Sequence, residues 1–152
     1  MPQLSLSRTC LLLVALASAS PWASADIAVV VANDNSNDKL NAQQVADIFL
    51  SRSATFPDGT TVVPLDNASS LRARFYLQAT HKTAAQLRTY WVQQVTSGAG
   101  QPPKALDSDA EVLAVVSKNP NTVSYVDRAH VDASVKVLLT LPSPEDSGSV
   151  HR

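Results

Sequence analysis

The residues best able to do chemistry fall in one short run, Asp66-Asn-Ala-Ser-Ser-Leu-Arg72. It combines a carboxylate, an amide, two hydroxyls and a guanidinium. An apolar stretch of strand character precedes the run and helical periodicity follows it, so the run opens a helix. The first N–H groups of a helix have no partner inside it and sit at the positive end of its dipole. Such a loop can hold an oxyanion by hydrogen bonds, without catalysis. Arg72, in the first turn, could add a charge-assisted pair to that anion. The same residues equally suit an ordinary cap, with Ser69 or Asn67 closing the helix and Arg72 in water.

Signatures of other chemistry are missing. His81, His130 and His151 are scattered, and no pair has the spacing of helical metal ligands. No Gly-x-Ser-x-Gly elbow marks a nucleophile, and no phosphate-cradling P-loop is present. Gly98-Ala-Gly100 follows a helix, the wrong context for a dinucleotide site. Asp107, Asp109 and Glu111 flank a helix start, where carboxylates favour the dipole. The reading is therefore of no catalytic residues, no metal and no cofactor. A hydrolase would need Ser69 or Ser70 to meet His81 or His130 in space.

The elements around the run form an α/β pattern. Asp26-Ile-Ala-Val-Val-Val-Ala-Asn33 is a β-branched run suited to a strand buried on both faces. Asn41 with Gln44 makes a capping box for a helix that buries Val45, Ile48 and Phe49. Pro57-Asp58-Gly59 turns the chain into a second strand ending at Leu65. After the Asp66–Arg72 run come a helix with Leu71 and Phe75, then one capped by Thr83. The latter points Leu87, Tyr90, Trp91 and Val95 inward and stops at Gly98. A glycine–proline loop follows, then a helix capped by Ser108 and ended by Pro120. Strands at 122–126 and 134–140 close the domain. About four strands and four helices in layers are expected, with a parallel crossover between the first two strands. Ligands of such sheets sit beyond the carboxyl ends of strands, here near Asn33 and near Asp66–Asn67.

Charge and composition narrow the partners. Twelve Lys and Arg balance thirteen Asp and Glu, a formal net charge of −1, so no basic surface for nucleic acid is indicated. Arg8, the apolar Leu11–Ala17 run and Ala23-Ser24-Ala25 have the order of a cleavable signal peptide over residues 1–25. The apolar run is too short to span a bilayer, so no membrane insertion is expected after cleavage. Cys10, the only cysteine, leaves with it, which removes disulfides and thiol chemistry. One domain over 26–141 and a disordered polar tail over 142–152 then remain, in a periplasmic protein.

Several segments, in order, resemble the phosphate ABC-transporter substrate-binding proteins. Val45-Ala-Asp-Ile-Phe-Leu50 with Phe56-Pro-Asp-Gly59 is similar to one stretch of that family. Val63-Pro-Leu-Asp66 through Ser70, then Phe75-Tyr76, is similar to its strand, anion loop and helix. Tyr90-Trp91, Ser97-Gly98 and Asn119-Pro120 through Tyr125-Val126 are further landmarks. The resemblance implies a type II periplasmic-binding-protein fold, of which this chain has room for a single three-layer-like lobe. It departs from the pattern at three points: Leu65 replaces an arginine, Ala68-Ser-Ser70 replaces Ser-Gly-Thr, and Ser124 replaces a glycine.

Two readings follow. In one, Asn33, Asp66, Asn67, Ser69, Ser70 and Arg72 line a site for phosphate or another small oxyanion, for transport or sensing. In the other, the lobe is an interaction module without ligand, docking on a periplasmic sensor, a membrane protein or a second copy of itself. Both require export. Mass spectrometry of the protein recovered from an exporting bacterium is expected to give a chain starting at Asp26; one retaining residues 1–25 overturns the signal-peptide reading.

Overall fold

The computed structural model describes residues 25–144. The expected signal peptide, apart from Ala25, lies outside the described residues, as does the tail beyond Pro144.

Strand β1 (Ile27–Ala32) is wholly buried along its six residues. Its alternate side chains reach opposite faces of the sheet. Ile27, Val29 and Val31 join the core under the first three helices. Ala28 and Val30 join a second core under the last one. A strand covered on both sides has no place for polar residues, which explains its continuous apolar run.

Helix α1 (Ala42–Phe49) starts at the Asn41–Gln44 capping box and buries Val45, Ala46, Ile48 and Phe49. Strand β2 (Val63–Asn67) leads to α2 (Arg72–Thr80), and α3 (Ala84–Ser97) begins at a second capping box, Thr83–Gln86. Gly98 ends α3 in the left-handed region, φ 72°, where a residue without Cβ is unstrained. Strand β3 (Lys104–Leu106), helix α4 (Asp109–Val116) and strand β4 (Thr122–Asp127) follow. A 3-10 turn (Arg128–His130) then leads to β5 (Val135–Leu141). The result has three layers: α1, α2 and α3 on one side of the sheet, α4 on the other.

The sheet has five strands in the order β3-β2-β4-β1-β5. The fifth strand, β3, lies in what the sequence presents as the end of a glycine–proline loop. It is three residues long and only Leu106 is buried, so no periodicity marks it. The expected parallel crossover between the first two strands is not formed. β4 lies between them, parallel to β2 and antiparallel to β1. An apolar β-branched run specifies burial on both faces but not direction, because side-chain alternation reads the same both ways. Val95 also departs from expectation, since it is half-exposed on the outer face of α3.

One aromatic cluster joins helices to sheet. The rings of Phe75 and Tyr125 stack at 3.7 Å between centroids with planes 10° apart. Phe49 meets both edge-on. The body also extends past Leu141. Pro142 O accepts a hydrogen bond from Gln78, and the buried Ser143 donates its N–H to the Asp26 carboxylate at 2.8 Å. Phe75 carries no polar group, so Phe75→Ala isolates packing. It is expected to destabilise the fold by about 3–5 kcal/mol, read from the urea midpoint at unchanged slope; a loss below about 1 kcal/mol would mean that the stack is not central.

Candidate functional site

Strands β2, β3 and β4 run parallel, so their carboxyl ends meet at one edge of the sheet. That edge gathers the end of β2, the loop into α2, the start of α4 and the 3-10 turn. β1 runs the other way, which puts Asn33 at the opposite edge. There its side chain donates to Ala133 O, and neighbouring Asn35 donates to Pro120 O. Asn33 is therefore separate from the other five residues singled out in the sequence. The rule that ligands sit at carboxyl ends applies to β2 and fails for β1, because it presumes parallel strands.

Asp66 is the buried centre of this edge, with 1% of its surface exposed. Its Oδ1 accepts the Tyr125 hydroxyl at 2.5 Å and the Asn67 N–H at 2.8 Å. Arg72 Nε lies 2.8 Å from Oδ2 as an ion pair, with the N–H directed off the line of a hydrogen bond. Burial, followed by the nearby Asp66 charge, raises the pKa values of Tyr76 and Tyr125 far above the ordinary phenol range. Both hydroxyls therefore remain protonated, and Tyr125 remains a donor.

Asn67, fully buried, ties the loop to the neighbouring helix. Its Nδ2 donates to Asp109 Oδ1 at 2.7 Å and to Tyr125 O at 2.9 Å. Its Oδ1 accepts the Ser69 N–H at 3.1 Å, and Ser69 Oγ accepts the Leu71 N–H at 3.3 Å. These side chains close the loop rather than the helix. The first residue before α2, Leu71, gives no side-chain cap. Among the described residues, the N–H groups of Ser70, Ala73 and Arg74 have no acceptor. Ser69 thus takes the N–H groups of Leu71 and Arg72, and the helix start keeps the other three donors free.

Of the residues named from sequence, Ser69, Ser70 and Arg72 share a surface, while Asp66 and Asn67 lie beneath it and hold it. The Arg72 side chain is about half exposed, and only its Nε meets Asp66. Its two terminal nitrogens have no partner among the described residues. The two other departures from the family pattern are structurally accommodated. Leu65 packs into the core under α4, and Ser124 is buried and donates to Leu65 O at 2.7 Å.

Sequence reasoning missed Asp109 and His130. Asp109 looked like a carboxylate placed for the helix dipole. Instead it accepts from Asn67, from the Asp127 N–H at 3.0 Å, and meets His130 Nδ1 at 2.6 Å. Only the spacing between β3 and the Ser108 cap could have hinted at this, and β3 itself was unmarked. Among the described residues no serine is hydrogen-bonded to a histidine; His81 ends α2, at the far end from Ser69 and Ser70.

Two grooves flank the start of α2, and Ser69 and Ser70 border both. One, of about 550 Å3, is bordered by Asp107, Asp109, Asp127 and His130. The other, of about 630 Å3, lies between α2 and α3 and is bordered by Arg72, Arg88 and an apolar wall. Among the described residues, no carboxylate borders the second groove. The free N–H groups, the two hydroxyls and the Arg72 fork can together coordinate an oxyanion. The acidic groove repels one.

This architecture shares its fold with part of several solved structures. Among solved structures, the chain is similar to a protein described as a phosphate ABC transporter substrate-binding protein from Clostridium perfringens, with phosphate bound. The TM-score is 0.59 at 20% identity, over 75% of this chain and 45% of that one. It is also similar to an ABC-type phosphate transport receptor from Vibrio cholerae, with TM-score 0.58 at 17% identity over 75% and 47%. For PstS from Borrelia burgdorferi the values are 0.56 and 12%, over 75% and 47%. The chain spans a little under half the length of each. No family model and no curated protein sequence matches it.

The His130–Asp109 pair makes stability depend on pH. The hydrogen bond to Asp109 raises the His130 pKa above its ordinary 6.5. Burial pushes the Asp109 carboxyl up, but hydrogen bonds from His130, Asn67 and the Asp127 N–H outweigh it and leave it below the ordinary 3.8. The histidine contribution is full below pH 6.5 and is lost as pH rises through its raised folded-state value. The carboxylate contribution is full above pH 3.8 and is lost as pH falls through its lowered value. His130 is exposed, so water screens the pair and the effect is small. Urea titrations should therefore show wild type above His130→Ala between these limits, with the gap closing as pH rises past neutrality; a gap independent of pH would exclude the charged pair.

Proposed function

We propose that the chain is an exported binding domain, not an enzyme, that holds a small oxyanion at the start of α2 for transport or sensing. Phosphate is the first candidate. The observation that carries this reading is Arg72, held at 2.8 Å by the buried Asp66 while its terminal nitrogens stay unpaired beside a helix start with free N–H groups.

The arrangement has a physical logic. An arginine in water must lose side-chain freedom to meet an anion, whereas one already fixed by a carboxylate loses less. Asp66 fixes Arg72 from below and leaves its outer edge for ligand. Ser69 and Ser70 add hydroxyl donors, and the dipole of α2 adds a partial positive charge. The arginine that the family pattern places at the position of Leu65 is thus replaced by one seven positions further along the chain, in the first turn of α2. The fold shared with phosphate-binding structures, one of them with phosphate bound, supports the choice of ligand.

No helix among the described residues is long and apolar enough to cross a membrane, which is compatible with an exported domain. The described rim contacts an anion from one side, so weak binding by these residues, with a Kd of about 1 mM or higher, is expected. Titration with inorganic phosphate, followed by calorimetry, should saturate for wild type. Arg72→Ala should weaken binding by roughly ten- to a hundredfold, the weight of one charge-assisted hydrogen bond. Arg72→Lys, which keeps charge but not the fork, should fall between. Absence of a saturable signal in wild type would overturn the reading.

A further inference from the structure

The groove between α2 and α3 is larger and more apolar than an inorganic anion requires. Its polar end is the site described above: Ser69, Ser70 and Arg72. Beyond that end its walls are Tyr76, Leu87, Trp91 and Val92, with Arg88 as a second guanidinium. Tyr76, Leu87 and Trp91 are nearly buried by their own packing, while Val92 remains 66% exposed. At about 630 Å3 the groove has the size and lining of a site for a small organic molecule. Phosphate alone would occupy the polar end and leave the apolar walls in water.

Charge selects the same kind of ligand. Neither Arg88 nor the terminal nitrogens of Arg72 has an acidic partner among the described residues, and no carboxylate borders the groove. The groove on the other side of α2 is bordered by three aspartates and repels anions. The Trp91 side chain, 92% buried by its 8% exposure, also has an indole N–H with no acceptor among the described residues. That nitrogen is itself buried, so the wall at Trp91 offers a ligand no donor and is apolar.

We infer that this groove binds an organic oxyanion whose charged head sits at the start of α2 and whose compact apolar body lies between Tyr76, Leu87, Trp91 and Val92. The inference rests on the anion site proposed above and names its ligand class: an amphipathic ester rather than the bare ion. The apolar body adds contact that inorganic phosphate cannot make, and Arg88 adds attraction at the far rim.

The test compares phenyl phosphate, inorganic phosphate and phenol by calorimetry on wild type and Ala84→Leu. Ala84 is exposed at the first position of α3 and borders the groove, so leucine there narrows it without disturbing the core. Wild type is expected to bind phenyl phosphate at least about tenfold more tightly than phosphate, as burial of one ring implies. Ala84→Leu should remove that advantage and leave phosphate binding unchanged. Equal affinity for both anions, or an advantage that survives Ala84→Leu, overturns the inference while the anion site stands. Phenol binding as tightly as phenyl phosphate also overturns it, because the head would then contribute nothing. If neither anion binds, the anion site itself fails.

Discussion

A carboxylate buried at the end of a β-strand has to be paired, and Asp66 imposes that requirement on everything around it. Left alone it would be costly, since removing a charge from water is repaid only by close partners. Its partners are a phenol from β4, the N–H of the next residue and a guanidinium from the first turn of α2. Each constrains a different element. Tyr125 fixes β4 against β2, and the ring that carries its hydroxyl is stacked on Phe75 of α2. One side chain thereby couples sheet, helix and loop.

The loop into α2 follows from that pairing. Asn67 turns inward to Asp109 and Tyr125 and holds the Ser69 N–H, while the Ser69 hydroxyl takes the Leu71 N–H in the loop rather than a donor of the helix. The donors at the start of α2 face outward instead. Arg72 cannot swing freely, because Asp66 holds its inner nitrogen. A positive, preorganised rim therefore results from satisfying a buried negative group, without a cluster of basic residues in the sequence.

The two sides of that rim differ in charge. Asp107, Asp109 and Asp127 come from the ends of β3 and β4 and the start of α4, and make one side acidic. The other side is formed by helices α2 and α3, whose facing surfaces carry arginine and apolar residues. An anion at the helix start is therefore pushed toward the α2–α3 side. The chain spans less than half of the solved structures that share its fold.

Local patterns in the sequence determined much of this molecule. The capping box at Asn41, the Thr83 cap, the glycine stop at Gly98, the buried first strand and the helix-opening run Asp66–Arg72 were all legible, because each depends on neighbours within a few residues. The direction of β1, the existence of β3 and the separation of Asn33 from the site were not. These depend on which strands pair, and strand pairing joins residues far apart in the chain. The same reason hid the roles of Tyr125, Asp109 and His130: Tyr125 lies 59 positions from Asp66, Asp109 lies 42 from Asn67, and His130 lies 21 from Asp109. Sequence alone determined that a helix begins at a polar loop after β2. Only the tertiary structure decided that the helix would keep its donors free and hold Arg72 above a buried carboxylate, because those outcomes are set by long-range partners competing for the same side chains.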